Sequence, residues 1–421
     1  MPSLNLLSIF NPSNYWRGGY VTIPWSAIAQ QFQIPPEQLT LSDLRDLSHT
    51  PLLSQVDRID PEDPSRDALV FYLPKTIPPA SEDEVLASAF VRVDQGKPIP
   101  PGLGEPFLEV IYGADGRERG VKLVNSRLII EFNLIAAPFD NGRNWFAGSA
   151  TSVQLDHLDI LDPFRGEKGS SGGQDLEKRC MQVAGILLPG SPQPETPYHQ
   201  VSLYDRSYRL VSYSTGPVRA TITIASEPFE YVGTDPYTGI NRHLRCQLYR
   251  VISLYAGADY LIEELFVKGK PIGEDKLIED PRAVNLNFGL HYFAHMNMEH
   301  TKDIQQSFPI PNWYAVSSTS HPYAAYGLTS DVNIDFVKHP HEGNKSRFYW
   351  QFLPSRSAKC LHLFMGGQPE GFDAWVGHSW YELIYKPLKA EIYQDTFAKP
   401  IQSPPMPASP AWLQPTKLAL S

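Results

Sequence analysis

From residue 107 onward the apolar positions fall in short, dense runs with a period of two. They include FLEVIYG, VKLV, RLIIEFNL, YRLVSYS, VRATITIAS, HLRCQLYRVISLY, DYLIEELFVKG, RFYWQFL, KCLHLFMG and WYELIYKPLKAEIY. Such alternation sends successive side chains to opposite faces of a strand, so each run predicts a β-strand with one face toward a core. FLEVIYG, a turn at Ala114-Asp115-Gly116, VKLV and RLIIEFNL together read as a hairpin and meander. Residues 1–95 carry shorter runs, SIFNP, GGYVTIPW, PLLSQVD and ALVFYLP, broken by Pro, Asp and Ser, and predict a small β-sandwich. Helical spacing is scarce. SAIAQQFQIPPEQL and LSDLRDL predict a turn or two each, with Pro35 and Pro36 preventing one long helix, and QDLEKRCMQVAGILL is the main amphipathic candidate. The Pro- and Gly-rich segment 94–106, DQGKPIPPGLGEP, marks a semi-rigid boundary. The chain is thus expected to be all-β: a small sandwich over 1–95, a large antiparallel sandwich over 96–396, and a Pro- and Ser-rich tail over 397–421.

Composition narrows the function classes. Proline makes up 39 of 421 residues, about 9 % against a usual level of about 5 %, which suits a loop-rich β protein. A net charge of −10 and the lack of any basic block argue against a nucleic-acid partner, whose phosphates need clustered Lys and Arg. The three cysteines, Cys180, Cys246 and Cys360, are odd in number and far apart, so neither a CxxC metal pattern nor a full disulfide framework is available. The N-terminus lacks a basic n-region and sustained apolar h-region, and no apolar run approaches the roughly 20 residues of a membrane span. A soluble cytoplasmic protein without a membrane partner is expected, its oligomeric state open.

The candidate chemistry begins at NLNFGLHYFAHMNMEH, residues 285–300, which holds three of the twelve histidines. Read as one strand, it puts Leu286, Phe288, Leu290, Tyr292 and Ala294 on one face and Asn285, Asn287, His291 and His295 on the other, with Phe293 among them. RHLRCQLYRV offers a second polar face, His243, Arg245, Gln247 and Tyr249, opposite Leu244, Cys246 and Leu248. HSWYELIYK adds His378, Trp380 and Glu382. If these faces adjoin, they present imidazoles, a guanidinium, amides and an indole, the donors, acceptors and stacking surface that a sugar requires. A merely solvated sheet face is the plain alternative. DHLDILD, with Asp156, His157, Asp159 and Asp162, lacks the EF-hand spacing, and KHPHEG, with His339 and His341, reads as a surface loop, so no metal is assigned. GEKGSSGGQD lacks the P-loop arrangement and reads as a mobile loop near the concave face. Zinc-protease and dinucleotide fingerprints are missing, and no cofactor is expected.

Several of these runs resemble known families. FNPSNYWRGGYVTIPW, followed by LLSQVD and LVFYLP, resembles the small β domain that follows the catalytic barrel in family 38 glycoside hydrolases. VKLVNSRLIIEFNL, GPVRATITI and LYRVISLYAGADYLIEEL are similar to strands of the galactose-mutarotase-like supersandwich. The resemblance spans scattered motifs over the first 270 residues or so, and implies a mutarotase-like fold for the large sandwich and a carbohydrate ligand on its concave sheet. Neither a barrel nor its Asp nucleophile stands before these motifs, so mannosidase activity does not carry over.

The resulting expectation is a sugar epimerase or a polysaccharide or oligosaccharide lyase, with hydrolysis ranked behind them. His291 or His295 and Glu382 would serve as acid and base, with His243, Arg245, Tyr249, Asn287, His378 and Trp380 binding substrate. Arg245 would neutralise a carboxylate or bind an anomeric oxygen. The rival is a non-catalytic carbohydrate-binding or assembly protein.

Overall fold

The computed structural model describes residues 5–11, 17–79, 88–97, 106–135, 147–160, 179–189, 198–203, 206–234, 241–272, 284–285, 288–295, 301–305, 313–318, 324–330, 334–340, 346–355, 357–366 and 384–386. Within them the chain is all-β, built of antiparallel sheets. No helix among the described residues is long and apolar enough to cross a membrane.

The N-terminal unit packs a four-stranded sheet, in the order Ile384–Lys386, Leu6–Phe10, Ser88–Gln95, Leu39–Asp43, on a three-stranded one, Arg17–Pro24, Ala68–Ile77, Ser54–Asp57. Alternate residues Leu7, Ile9, Val21, Ile23, Val91 and Val93 point into one core with Phe71, each aliphatic side chain contributing roughly 1.5–3 kcal/mol by leaving water. The helix Trp25–Phe32 ends at Gln33 in a left-handed conformation, and Pro36–Gln38 adds a 3-10 turn, so the proline pair does divide the segment. LSDLRDL is not helical: Leu39–Asp43 is a strand burying Leu39 and Leu41, and Asp43 then holds Arg45 at 2.7 Å. Ile384–Lys386 lies in this unit, pairing antiparallel with Leu6–Phe10, although it falls within the span assigned to the large sandwich on sequence.

Two ten-stranded sheets form the sandwich. The main path of one runs Ile334–Pro340, Ser346–Ser355, Phe288–His295, Arg179–Pro189, Ala150–Leu155, Leu128–Asn133, Glu118–Val124, Phe107–Tyr112. The other runs Tyr208–Thr215, Arg219–Ser226, Asn241–Tyr255, Tyr260–Pro271, Ala358–Gly366, Ala324–Ser330, Trp313–Ser318, Thr301–Gln305. Their facing sides share one core, in which Leu123, Ile130, Val153 and Ile186 of the first meet Ile222, Leu248, Leu261 and Phe364 of the second. The hairpin at Ala114-Asp115-Gly116 forms as read, with Gly113 N–H bonding to Arg117 O at 2.8 Å and Gly116 at φ +74°.

The amphipathic helix expected at QDLEKRCMQVAGILL is instead, from Arg179 to Pro189, a strand. Its buried positions are Met181, Val183, Ile186 and Leu188, and the register shifts between Val183 and Gly185. One bulge residue turns a spacing of two into three, which imitates a helical period in the sequence.

The outer side of the second sheet is a docking surface for the N-terminal unit. Gln55 accepts from the backbone N–H groups of Val218 and Arg219, both at 2.9 Å, and donates to Arg219 O at 2.9 Å. Gly216 permits this approach, since a Cβ there would stand 2.7 Å from the Gln55 Oε1. Asp57 is buried against Arg219 at 2.5 Å and also accepts from Ser214 and Thr221. The Arg219 guanidinium donates to the Tyr255 hydroxyl at 2.8 Å, and the Tyr20 ring packs tilted against Tyr255 at 4.4 Å while its hydroxyl donates to Ala256 O at 2.5 Å. Further along, Ile59 O accepts from Ser212 and Thr223, and Lys268 pairs with Asp60.

Candidate functional site

The histidine-rich stretch is not one strand. Val284–Asn285 pairs with Tyr260–Pro271 of the second sheet, whereas Phe288–His295 lies between Arg179–Pro189 and Ser346–Ser355 of the first. The two segments belong to different sheets, so Asn285 and the two histidines do not share a strand face. Asn287 lies outside the described residues. His291 stands in register with Gly185 and Gln351, and His295 with Arg179 and Arg347.

His243, Arg245 and Tyr249 sit on Asn241–Tyr255, in the opposite sheet from His291 and His295, so these strands are not neighbours. Alternation along Asn241–Tyr255 is as read, with Leu244, Cys246 and Leu248 in the core. The other face divides. His243 and Arg245 are exposed, His243 lying 3.4 Å from Glu230. Tyr249 is buried with Ile59, Ala225, Val251 and Phe266, stacked on Phe266 at 5.1 Å under the Lys268 ammonium. It is a packing residue at the domain seam, out of reach of a ligand, because the N-terminal unit covers that half of the face. His378, Trp380 and Glu382 lie outside the described residues; Ile384, two positions beyond Glu382, pairs with Phe10 of the N-terminal sheet. Asp156 and His157 form a hairpin tip in left-handed conformation, and the Asp156 carboxylate binds Arg127 at 2.7 Å, with a pKa lowered chiefly by that hydrogen bond. Asp159 lies on the two-residue strand Leu158–Asp159 and His339 on Ile334–Pro340, while Asp162, His341 and the glycine-rich loop lie outside the described residues.

Two polar constellations escape the sequence reading. One is a row across the core side of four adjacent strands: Arg250, Glu263, His362 and Tyr326, all fully buried. Arg250 Nε donates to Glu263 Oε1 at 2.5 Å, and its two terminal nitrogens donate to Gly148 O and, at 2.7 Å, to Met181 O of the opposite sheet. Met181, at φ +60°, lies in the segment where the register with Phe288–His295 shifts, and a side chain on Gly148 would meet the Tyr208 ring at 2.6 Å. Burial pushes the Glu263 carboxyl up, yet the charge of Arg250 and the bond from His362 outweigh it and hold it down at about 2. Burial lowers the His362 pKa. A neutral imidazole fits both contacts: Nε2–H donates to Glu263 at 2.9 Å, and Nδ1 accepts from the Tyr326 hydroxyl at 2.8 Å. The sequence does carry a signal for this row. Arg250 falls between Leu248 and Ile252, and Glu263 between Leu261 and Leu265, on the inward register of their strands.

The second constellation is a cleft of about 570 Å³ between the N-terminal unit and the sandwich, lined by Arg58, Asp60, Asp67, Glu118, Leu210 and Tyr213 among others. That volume is in the range of small-ligand sites. The loop 58–67 forms one wall, anchored by Asp60–Lys268 and by Ile59 N–H bonding to Asp67 Oδ1 at 3.3 Å. Edge strand Tyr208–Thr215 forms another, with Tyr213 58 % exposed, and Glu118 enters from the hairpin after Phe107–Tyr112. Burial raises the Asp67 carboxyl pKa, reinforced by Asp57 and Asp60 and opposed by the Ile59 amide and Arg58. Among the described residues, the side chains of Arg58 and Glu118 and the Tyr213 hydroxyl make no hydrogen bond or ion pair within the protein. Donors, acceptors and an aromatic face therefore stand open around one hollow.

No family model matches the sequence, and no curated protein is similar to it. Among solved structures, an α-mannosidase from Enterococcus faecalis V583 aligns with 88 % of this chain and 44 % of its own, at 11 % identity and a TM-score of 0.43. A glycosyl hydrolase family 38 protein from Enterococcus faecalis aligns with 88 % and 46 %, at 10 % identity and 0.42. A 4-α-glucanotransferase from Thermococcus litoralis aligns with 62 % and 39 %, at 11 % identity and 0.32. The chain spans less than half the length of each of these proteins.

Proposed function

We propose that this chain binds carbohydrate in the cleft between its N-terminal β unit and its sandwich. The observation that carries this reading is the convergence of Arg58, Asp67, Glu118 and the exposed Tyr213 ring on one cavity. A pyranose offers an apolar face for stacking and hydroxyls that donate and accept, and these groups match both. The seam of buried hydrogen bonds beside the cleft holds its walls in fixed relation, which keeps the ordering cost of binding low. A glycan array probed with the wild-type chain and with Tyr213→Ala tests this. At least one saccharide is expected to bind, with affinity falling about tenfold on loss of the ring, a factor near 1.4 kcal/mol. Binding that survives both Tyr213→Ala and Glu118→Ala would place the sugar elsewhere and sink the reading.

A catalytic version, sugar epimerisation or lyase-type elimination, attaches to the strand Phe288–His295. It is favoured by the register of His295 with Arg179 and Arg347, which brings basic residues beside a titratable one. Turnover of an array-selected sugar that disappears in His291→Ala or His295→Ala would support it. Binding without turnover leaves the non-catalytic carbohydrate-binding role.

A further inference from the structure

We infer that the cleft is built for an uncharged saccharide and discriminates against uronates and other anionic sugars. This rests on the cleft being the saccharide site. Of the four charged residues lining it, Asp60 is already neutralised by Lys268, deep in the seam. Three charges remain to meet a ligand: the carboxylates of Asp67 and Glu118 and the guanidinium of Arg58. The single charge of Arg58 is set against the two carboxylates of Asp67 and Glu118 in the same lining, which leaves the hollow net negative. Glu118 has no ion-pair partner among the described residues. A hollow of about 570 Å³ is only some 10 Å across, comparable to the screening length of about 8 Å at physiological ionic strength, so a ligand carboxylate anywhere inside feels Glu118. Hydroxyl groups suffer no such repulsion. They can donate to both carboxylates and accept from Arg58, and the apolar wall formed by Pro61, Pro64 and Leu210 suits the C–H face of a ring rather than an ion. The chain as a whole, at −10, adds long-range repulsion of the same sign.

The test compares sugars that differ only at C6, galactobiose with digalacturonate and mannobiose with dimannuronate, by calorimetric titration of the full chain. The neutral member of at least one pair is expected to bind about tenfold more tightly than its acidic counterpart at low salt. Glu118→Gln keeps an acceptor while removing the charge. It should narrow the gap about fivefold by improving binding of the acidic sugar, with the neutral sugar changed less than about threefold. Equal or tighter binding of the uronate, a preference untouched by Glu118→Gln, or binding of none of the four sugars would overturn the inference. Uronate binding that is still lost in Tyr213→Ala would overturn the charge selectivity alone and leave the cleft as the saccharide site.

Discussion

Arg219 and Arg250 are both buried guanidinium groups on adjacent strands of one sheet, yet they face opposite ways and serve different boundaries. Arg219 looks outward, where Asp57 and the Tyr255 hydroxyl bind it at the seam with the N-terminal unit. Burial works against its charge, but Tyr255 and Asp57 outweigh burial and hold its pKa above the ordinary value. Arg250 looks inward and ties Glu263 of its own sheet to the Met181 carbonyl of the other and to the Gly148 carbonyl in the turn before Ala150–Leu155. In the seam, hydroxyls and an amide surround the ion pair and share its hydrogen bonds. In the core, the Glu263 carboxylate meets the charge of Arg250 and an N–H of the neutral His362 ring. The difference teaches that losing a buried counter-ion costs more inside an apolar core than in a seam lined by hydroxyls.

The largest effect should come from the core. Arg250→Met removes the guanidinium charge that faces the buried Glu263 carboxylate and is expected to cost about 3–5 kcal/mol, read as a lower urea midpoint. A midpoint shifted by less than about 1 kcal/mol equivalent, the size of an ordinary mutation, would put the core pair on the same footing as the seam. The same row sets an acid limit. The folded pKa of Glu263, about 2, lies below its ordinary 4.5, so its contribution is complete above the ordinary range and is lost as pH falls from there toward 2. Glu263→Gln should lose that part of the acid-side decline, measured as midpoint against pH.

A middle-sized effect belongs to the seam. Asp57→Asn removes the charge opposite Arg219 and keeps one of the two acceptor oxygens that Ser214 and Thr221 use, and is expected to cost about 2 kcal/mol. If it proves as costly as Arg250→Met, the surrounding hydroxyls share nothing. The smallest effects belong to the uncovered end of the same face. His243→Ala and Arg245→Ala should shift stability by less than about 0.5 kcal/mol, since both side chains are exposed. They should also leave saccharide binding in the cleft unchanged; a loss of binding would return the sugar to that strand end.

Much of the fold was legible because alternation is a local signal. The runs at 68–77, 107–112, 219–226, 241–255 and 260–271 all became strands, and Leu244, Cys246 and Leu248 turned inward together. Pro35 and Pro36 broke the helix at the expected place. Errors arose where local pattern and tertiary need diverged. The bulge near Val183 made a strand look helical, and Asn285 and Phe288–His295, read as one alternating strand, belong to different sheets. Tyr249 shows the same limit: its face was identified, but not the N-terminal loop that covers it.

By itself, then, the order of residues determined which segments are strands and which side of each shuns water, because both follow from neighbours two positions apart. Tertiary structure decided which strands adjoin and what lies on each outer face. The cleft draws on residues 58–67, 118 and 210–213, and the buried row on residues 250, 263, 326 and 362. Those distances along the chain carry no local trace, since the contacts exist only after two sheets and a second unit have closed on one another.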